Sequence, residues 1–201
     1  MKKALLIILL LPILLCGCSN TDALTQEKPE YMIASLGFDS VGGRITVLME
    51  AVVINAEDTS AEKKLLLLKG TGSTVEQGAQ MAEKQAVQPI NLSHCGVIVL
   101  GAGIDKKQFK EICDYCYNRD EINLSAFFIA AQNAEETLSQ KPVASVAVGY
   151  DIMSRLESQR ELSAKEYKNR FYQIEMNRYR KNSRYDIPLL RDGIFSESDM
   201  F

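Results

Sequence analysis

The sequence is short of most features that mark nucleic-acid-binding or catalytic chains. Its 201 residues hold 23 basic against 26 acidic side chains, and that balance excludes a nucleic-acid binder by charge. There is no G-x-x-x-x-G-K-[ST] loop, so the phosphate cradle of the common nucleotide hydrolases is missing. Two Gly-x-Gly pairs, Gly70-Thr71-Gly72 and Gly101-Ala102-Gly103, each follow an apolar run and precede a helical pattern. Val75 and Lys106 stand where a dinucleotide loop needs its third glycine, so both pairs read as tight turns and no cofactor is expected. Histidine is present once, as His94, and Cys95 follows it directly. Neighbours on a strand point to opposite faces, so these two do not converge on a metal with Cys113 and Cys116. The Cys113-Asp114-Tyr115-Cys116 pair also falls well inside its helix, away from the N-terminal dipole that activates redox thiols. Neither a metal site nor a catalytic constellation is expected.

The N-terminus carries a different signal. Met1-Lys2-Lys3 and the apolar run Ala4 to Leu15 have the form of a secretory signal, too short for a bilayer span of about 20 residues. Leu15-Cys16-Gly17-Cys18 resembles a bacterial lipobox, which implies removal of residues 1–17 and acylation of the Cys18 sulfur. Cys16 at the middle position is an unusual feature of this lipobox. Residues 1–17 hold two of the basic residues and none of the acidic ones, leaving 21 against 26, a formal −5. Three cysteines then remain unmodified, an odd count that argues against a disulfide framework. Residues 18–30 read as a polar, membrane-proximal tether.

Residues 31–184 read as one mixed α/β domain of the α+β class, with a mixed sheet of about four or five strands flanked by helices. Tyr31 to Phe38 and Ile45 to Ile54 form a hairpin across Gly42-Gly43, and Lys63 to Lys69 supplies a third strand. Ser73-Thr74-Val75-Glu76 fits a capping box opening a helix. Ser93 to Leu100 and Ile122 to Ala130 read as further strands, joined by a helix that Asp105 caps. Asn133 caps a short helix over 134–140. Pro142 starts another, with Val143, Val146, Ala147, Tyr150, Met153 and Leu156 on one face. Ser163-Ala164-Lys165-Glu166 opens a last helix through about Arg180, and residues 185–201 form a C-terminal tail. Basic and aromatic residues mix along that last helix. Glu161, Glu166 and Glu175 dilute the charge, so a solvated face is expected in preference to a lipid-binding one.

Three landmarks in order carry a family resemblance: Leu92 to Gly101, then Asn118-Arg119-Asp120-Glu121-Ile122-Asn123-Leu124, then Ala134-Glu135-Glu136-Thr137-Leu138. Together with Leu36-Gly37-Phe38-Asp39 and its glycine turn, they resemble the Ger(x)C spore germination lipoproteins, which supply the C subunit of nutrient germinant receptors. Many members carry Trp-Asp-Arg after the lipidated cysteine; this chain has Ser19-Asn20-Thr21. The resemblance covers the lipobox and first domain only, a shortened form of the family pattern. It implies a non-enzymatic, lipid-anchored subunit on the outer face of the spore inner membrane, working with membrane-embedded A-type and B-type subunits. A lipid-anchored solute-binding protein and an anchored envelope enzyme are the alternatives.

Overall fold

The alternating apolar residues after Glu30 form the longest strand of the protein. The computed structural model describes residues 29–53, 64–163, 168–180 and 185–197. Strand β1 (Tyr31–Val41) turns through Gly42 and Gly43 into β2 (Arg44–Val53), and β2 pairs antiparallel with β3 (Lys64–Gly72). Both turn glycines have positive φ, 59° and 78°, a region L side chains resist and two-residue hairpin loops require. The chain continues through α1 (Val75–Glu83), β4 (Ile90–Asn91), β5 (Val97–Gly101), α2 (Lys106–Tyr117) and β6 (Phe127–Ala131). It then forms α3 (Ala134–Leu138), α4 (Val148–Ser163), α5 (Phe171–Arg178), β7 (Leu189–Arg191) and β8 (Ile194–Ser196).

The eight strands among the described residues belong to one sheet, in the order β3-β2-β1-β5-β6-β7-β8, with β4 beside the start of β1. β1, β5, β6 and β7 run parallel, while β2 and β8 are antiparallel to their neighbours. Parallel central strands are covered on both faces, and β5 and β6 are buried at every residue. One face packs α1, α2 and α5 through Ala79, Ala82, Phe109, Ile112, Phe171 and Ile174. The other packs α3 and α4 through Leu138, Ile152 and Leu156. The mixed α/β class expected from the sequence is therefore correct, but the sheet is larger than the four or five strands expected. The surplus lies in β4, β7 and β8, whose two or three residues are too short to show a period.

Several element starts are set by side chains rather than by the apolar pattern. The strand expected from Ser93 begins only at Val97, because Leu92 to Cys95 forms a turn closed by the Cys95 amide on the Leu92 carbonyl. The strand expected from Ile122 begins at Phe127, because the Asn123 side chain accepts from both the amide and the hydroxyl of Ser125, 2.8 Å each. At α1 the cap is Thr74, which accepts from the Gln77 amide, so Gln77 rather than Glu76 holds the third helical position. Pro142 starts no helix: the segment to Ala147 is irregular and α4 begins at Val148. The last helix starts at Phe171, and residues 164–167 of its expected first turn lie outside the described residues. Residues 189–196, expected within a tail, add a hairpin to the sheet through Asp192 and Gly193, both at positive φ.

Gly70 and Gly72 lie inside β3, not in a loop, and there they let α1 approach the sheet. A Cβ on Gly70 would stand 2.1 Å from the Gly78 carbonyl oxygen and 2.3 Å from the Ala82 nitrogen, both rigid backbone. Gly70→Ala is therefore expected to lower stability by about 2 kcal/mol or more in urea denaturation, as overpacking against backbone does. A change under about 0.5 kcal/mol would show that α1 moves freely on β3.

Candidate functional site

Three acidic side chains fix the segment that follows β6, and each spends its oxygens on backbone amides. Glu50 is fully buried in β2, opposite Ser35 of β1 at a bulge that leaves Ala34 as the extra residue. Its carboxylate accepts from the Val148 amide at 2.6 Å, the Gly149 amide at 2.9 Å and the Ser35 hydroxyl at 2.7 Å. Those amides are the first of α4, which have no partner within the helix. Gly149 is required there, since a Cβ would lie 2.6 Å from that of Ser35. Asp39, near the end of β1, accepts from the Ala134 and Glu135 amides of α3 at 2.9 Å each. Gly101 makes room for that carboxylate, because a Cβ would meet Asp39 Oδ1 at 1.9 Å. Asp151 of α4 reaches back to the Val143 amide at 2.5 Å, which holds the irregular segment across the helix start.

With α3 and α4 held this way, a cleft of about 250 Å³ opens between them and the β7–β8 hairpin. It lies beyond the carboxyl ends of β6 and β7, where open α/β sheets place ligands. An adjoining groove of about 480 Å³ shares Val143, Asp151, Arg155 and Gly193 with it. Lys141, Arg155 and Arg191 bring positive charge to the cleft; Glu136, Asp151 and Asp192 bring negative charge. Val143, Val148, Ile152 and Leu190 add apolar wall, so the lining suits a small amphipathic solute carrying charge.

The residues singled out from the sequence are placed elsewhere. His94 is exposed on the turn before β5, while Cys95 beside it is buried; the two lie on that turn and not on the strand expected there. Cys95, Cys113 and Cys116 are free thiols in the core against the α1–α2–α5 face. Burial pushes the Cys95 thiol up to about 12, and burial likewise raises Cys113 and Cys116. All three are therefore protonated at neutral pH and behave as small core residues. Among the described residues no group of three or more His, Cys, Asp or Glu could hold a metal ion. Cys18 lies outside the described residues. Sequence reasoning missed Glu50, whose signal was a single acid within the apolar run Leu48 to Val53.

Desolvation raises the Glu50 pKa above its ordinary 4.5 despite the lowering effect of the Ser35, Gly149 and Val148 donors, with Asp151 adding a smaller push upward. The native state thus holds this proton more tightly than the unfolded chain does. Its contribution is fully present below the ordinary Glu range and is lost as pH rises through the raised value. Asp151 runs the opposite way: burial pushes it up, but the Val143, Ser145 and Ala144 donors outweigh that and hold it below 3.8. Its contribution is lost as pH falls through that lowered value. Glu50→Ala, which leaves two amides and a hydroxyl unpaired, should cost about 2 kcal/mol or more in denaturant melts. Glu50→Gln should remove the decline above pH 4.5, so the stability difference shifts toward the variant as pH rises. A parallel pH profile for wild type and Glu50→Gln would contradict the titration of this group.

No curated protein and no solved structure matches the chain. A family model does: residues 30–187 match the spore germination protein N-terminal domain. The matched span takes in β1 through α5, with both helix-anchoring acids of the hairpin and the whole of the cleft's α3–α4 wall. The chain belongs to the Ger(x)C spore germination protein N-terminal domain family, and its role lies in spore germination.

Proposed function

We propose that the protein is a non-enzymatic, lipid-anchored subunit of a nutrient germinant receptor. It would be held to the spore inner membrane through Cys18 and act by assembly with membrane-embedded A-type and B-type subunits. The observation that carries this reading is the family match over residues 30–187, preceded by a signal and lipobox pattern ending at Cys18. No helix among the described residues is long and apolar enough to cross a membrane, so attachment through this domain needs another device. A diacylglycerol thioether on the Cys18 sulfur, which brings two acyl chains, would supply it. The scaffold role is supported by how three acids are used: Glu50, Asp39 and Asp151 each hold helix or loop amides. Cys18→Ala should move the protein from the membrane to the soluble fraction after cell fractionation. Retention of most of the variant in the membrane fraction would place the anchor elsewhere.

The cleft between α3, α4 and the β7–β8 hairpin favours a second reading, direct binding of a small charged solute. Arg155 is its central cation: it is exposed along the shared wall of cleft and groove, and its guanidinium reaches over Gly193. In thermal unfolding against amino acids and sugars, a bound solute at ten times its Kd should raise Tm by about 3–6 °C. Arg155→Ala should abolish that rise without changing Tm in its absence. No shift with any solute would leave assembly as the whole function.

A further inference from the structure

Exposed large apolar side chains occur at both ends of the sheet: Val41, Val143 and Ile194 stand at the carboxyl end, and a cluster gathers around α5 at the other. β1, β5 and β6 run parallel, so Tyr31, Val97 and Phe127 mark one end of the sheet, the amino end. The chain enters there from Glu30, and the Tyr31 amide binds the Pro89 carbonyl, which brings Val87 to the same end. Helix α5 lies there as well: Arg170 bridges to Phe127, the Tyr172 amide binds the Leu124 carbonyl at 2.9 Å, and Arg178 pairs with Asp114 near the end of α2. Tyr172, Met176 and Tyr179 follow at four- and three-residue spacing, on one side of α5, and are 43%, 60% and 84% exposed. Phe171, Ile174 and Glu175 take the buried side. Leu124 and Val87 add to the exposed apolar surface of this end.

We propose that this amino end, centred on the outer side of α5, rests on an anionic lipid surface. Charge and chemistry select that occupant. Tyrosine suits the bilayer interface because its ring is apolar and its hydroxyl is wet, and Met176 between two tyrosines gives a side chain able to enter the acyl boundary. Lys168 and Arg180 are exposed at either end of α5, where cations meet anionic headgroups. Of the acids nearby, Glu175 and Asp114 pair with Arg178 and Glu83 with Arg119, while Asp120 and Glu121 stand exposed in the turn before Leu124. The attachment point agrees. Only eleven residues lie between Cys18 and Glu30, a reach of at most about 43 Å over the twelve Cα–Cα steps, and they join the domain at this end. This orientation rests on the anchor reading above, and it replaces the solvated face expected from the charge pattern alone.

The test supplies the tether artificially, so that its outcome is independent of native acylation. The chain from residue 19 onward, with a hexahistidine segment in place of Cys18, is bound to vesicles of nickel-chelating lipid in phosphatidylcholine, with or without phosphatidylglycerol. An environment-sensitive fluorophore is placed by Met176→Cys or Tyr179→Cys at the amino end, or by Ile194→Cys on the opposite hairpin; the native thiols are buried and protonated. Circular dichroism confirms that each labelled chain is folded. The expected result is at least a twofold brightening at 176 and 179 with phosphatidylglycerol, quenched by nitroxide-bearing lipid, and no change at 194. Unchanged emission at 176 and 179 would overturn the proposal and leave this face for a protein partner. Equal brightening at all three positions would also overturn it, by showing contact without orientation. Loss of native membrane attachment in Cys18→Ala tests the anchor alone, so the two failures are distinguishable.

Discussion

The architecture depends on one buried carboxylate. Glu50 sits in the second strand of the hairpin, without exposure, and satisfies the opening amides of α4 nearly a hundred residues later in the chain. A buried charge is costly to leave unpaired, so the helix start and the carboxylate fix one another. Asp39 does the same for α3 from the other strand of the interacting pair, β1. Through these two contacts the hairpin decides where the irregular α3–α4 region lies over the sheet. The cleft is the space left between that region and the late hairpin.

The two faces of the sheet have different jobs in consequence. The α1–α2–α5 side holds the larger apolar cluster, with the three thiols and the Phe128–Phe171 and Phe109–Phe128 ring contacts. It gives rigidity, helped by glycines that bring α1 against β3. The α3–α4 side is tied by polar contacts and carries the charged cleft. The sheet's two ends differ as well: solute-sized space lies beyond the carboxyl ends, and exposed tyrosines and methionine gather at the amino end where the chain enters. That polarity accords with the proposed attachment at the end where the chain enters.

Much of the fold could be read from residue order. The hairpin at Gly42-Gly43, the third strand, the Asp105 cap with Gln108 and the Asn133 cap all rest on local chemistry, and local chemistry is visible in sequence. The burial of Cys113 and Cys116 was legible too, from their place on the apolar face of a helix, whereas Cys95 is buried from a turn and not from the strand expected there. What could not be read depended on distance along the chain. Nothing near Pro142 shows that Asp151 and Glu50 will delay the helix to Val148. Nothing in Leu189 to Ser196 shows that three residues at a time will complete a sheet edge beside Ala130 and Ala131. The cleft was hidden for the same reason: its walls come from three elements that meet only through long-range contacts.

The central claim is that this domain works inside a germination receptor, and the most direct test is recovery of its neighbours. A tagged copy, extracted from the membranes of sporulating cells in mild detergent, would be purified and its companions identified by mass spectrometry. The account predicts co-purification of A-type and B-type germination subunits in comparable amounts, reduced when Cys18 is replaced by Ala. A folded, lipidated protein recovered with neither subunit would contradict it, and would mark a lipoprotein that acts in germination outside a receptor.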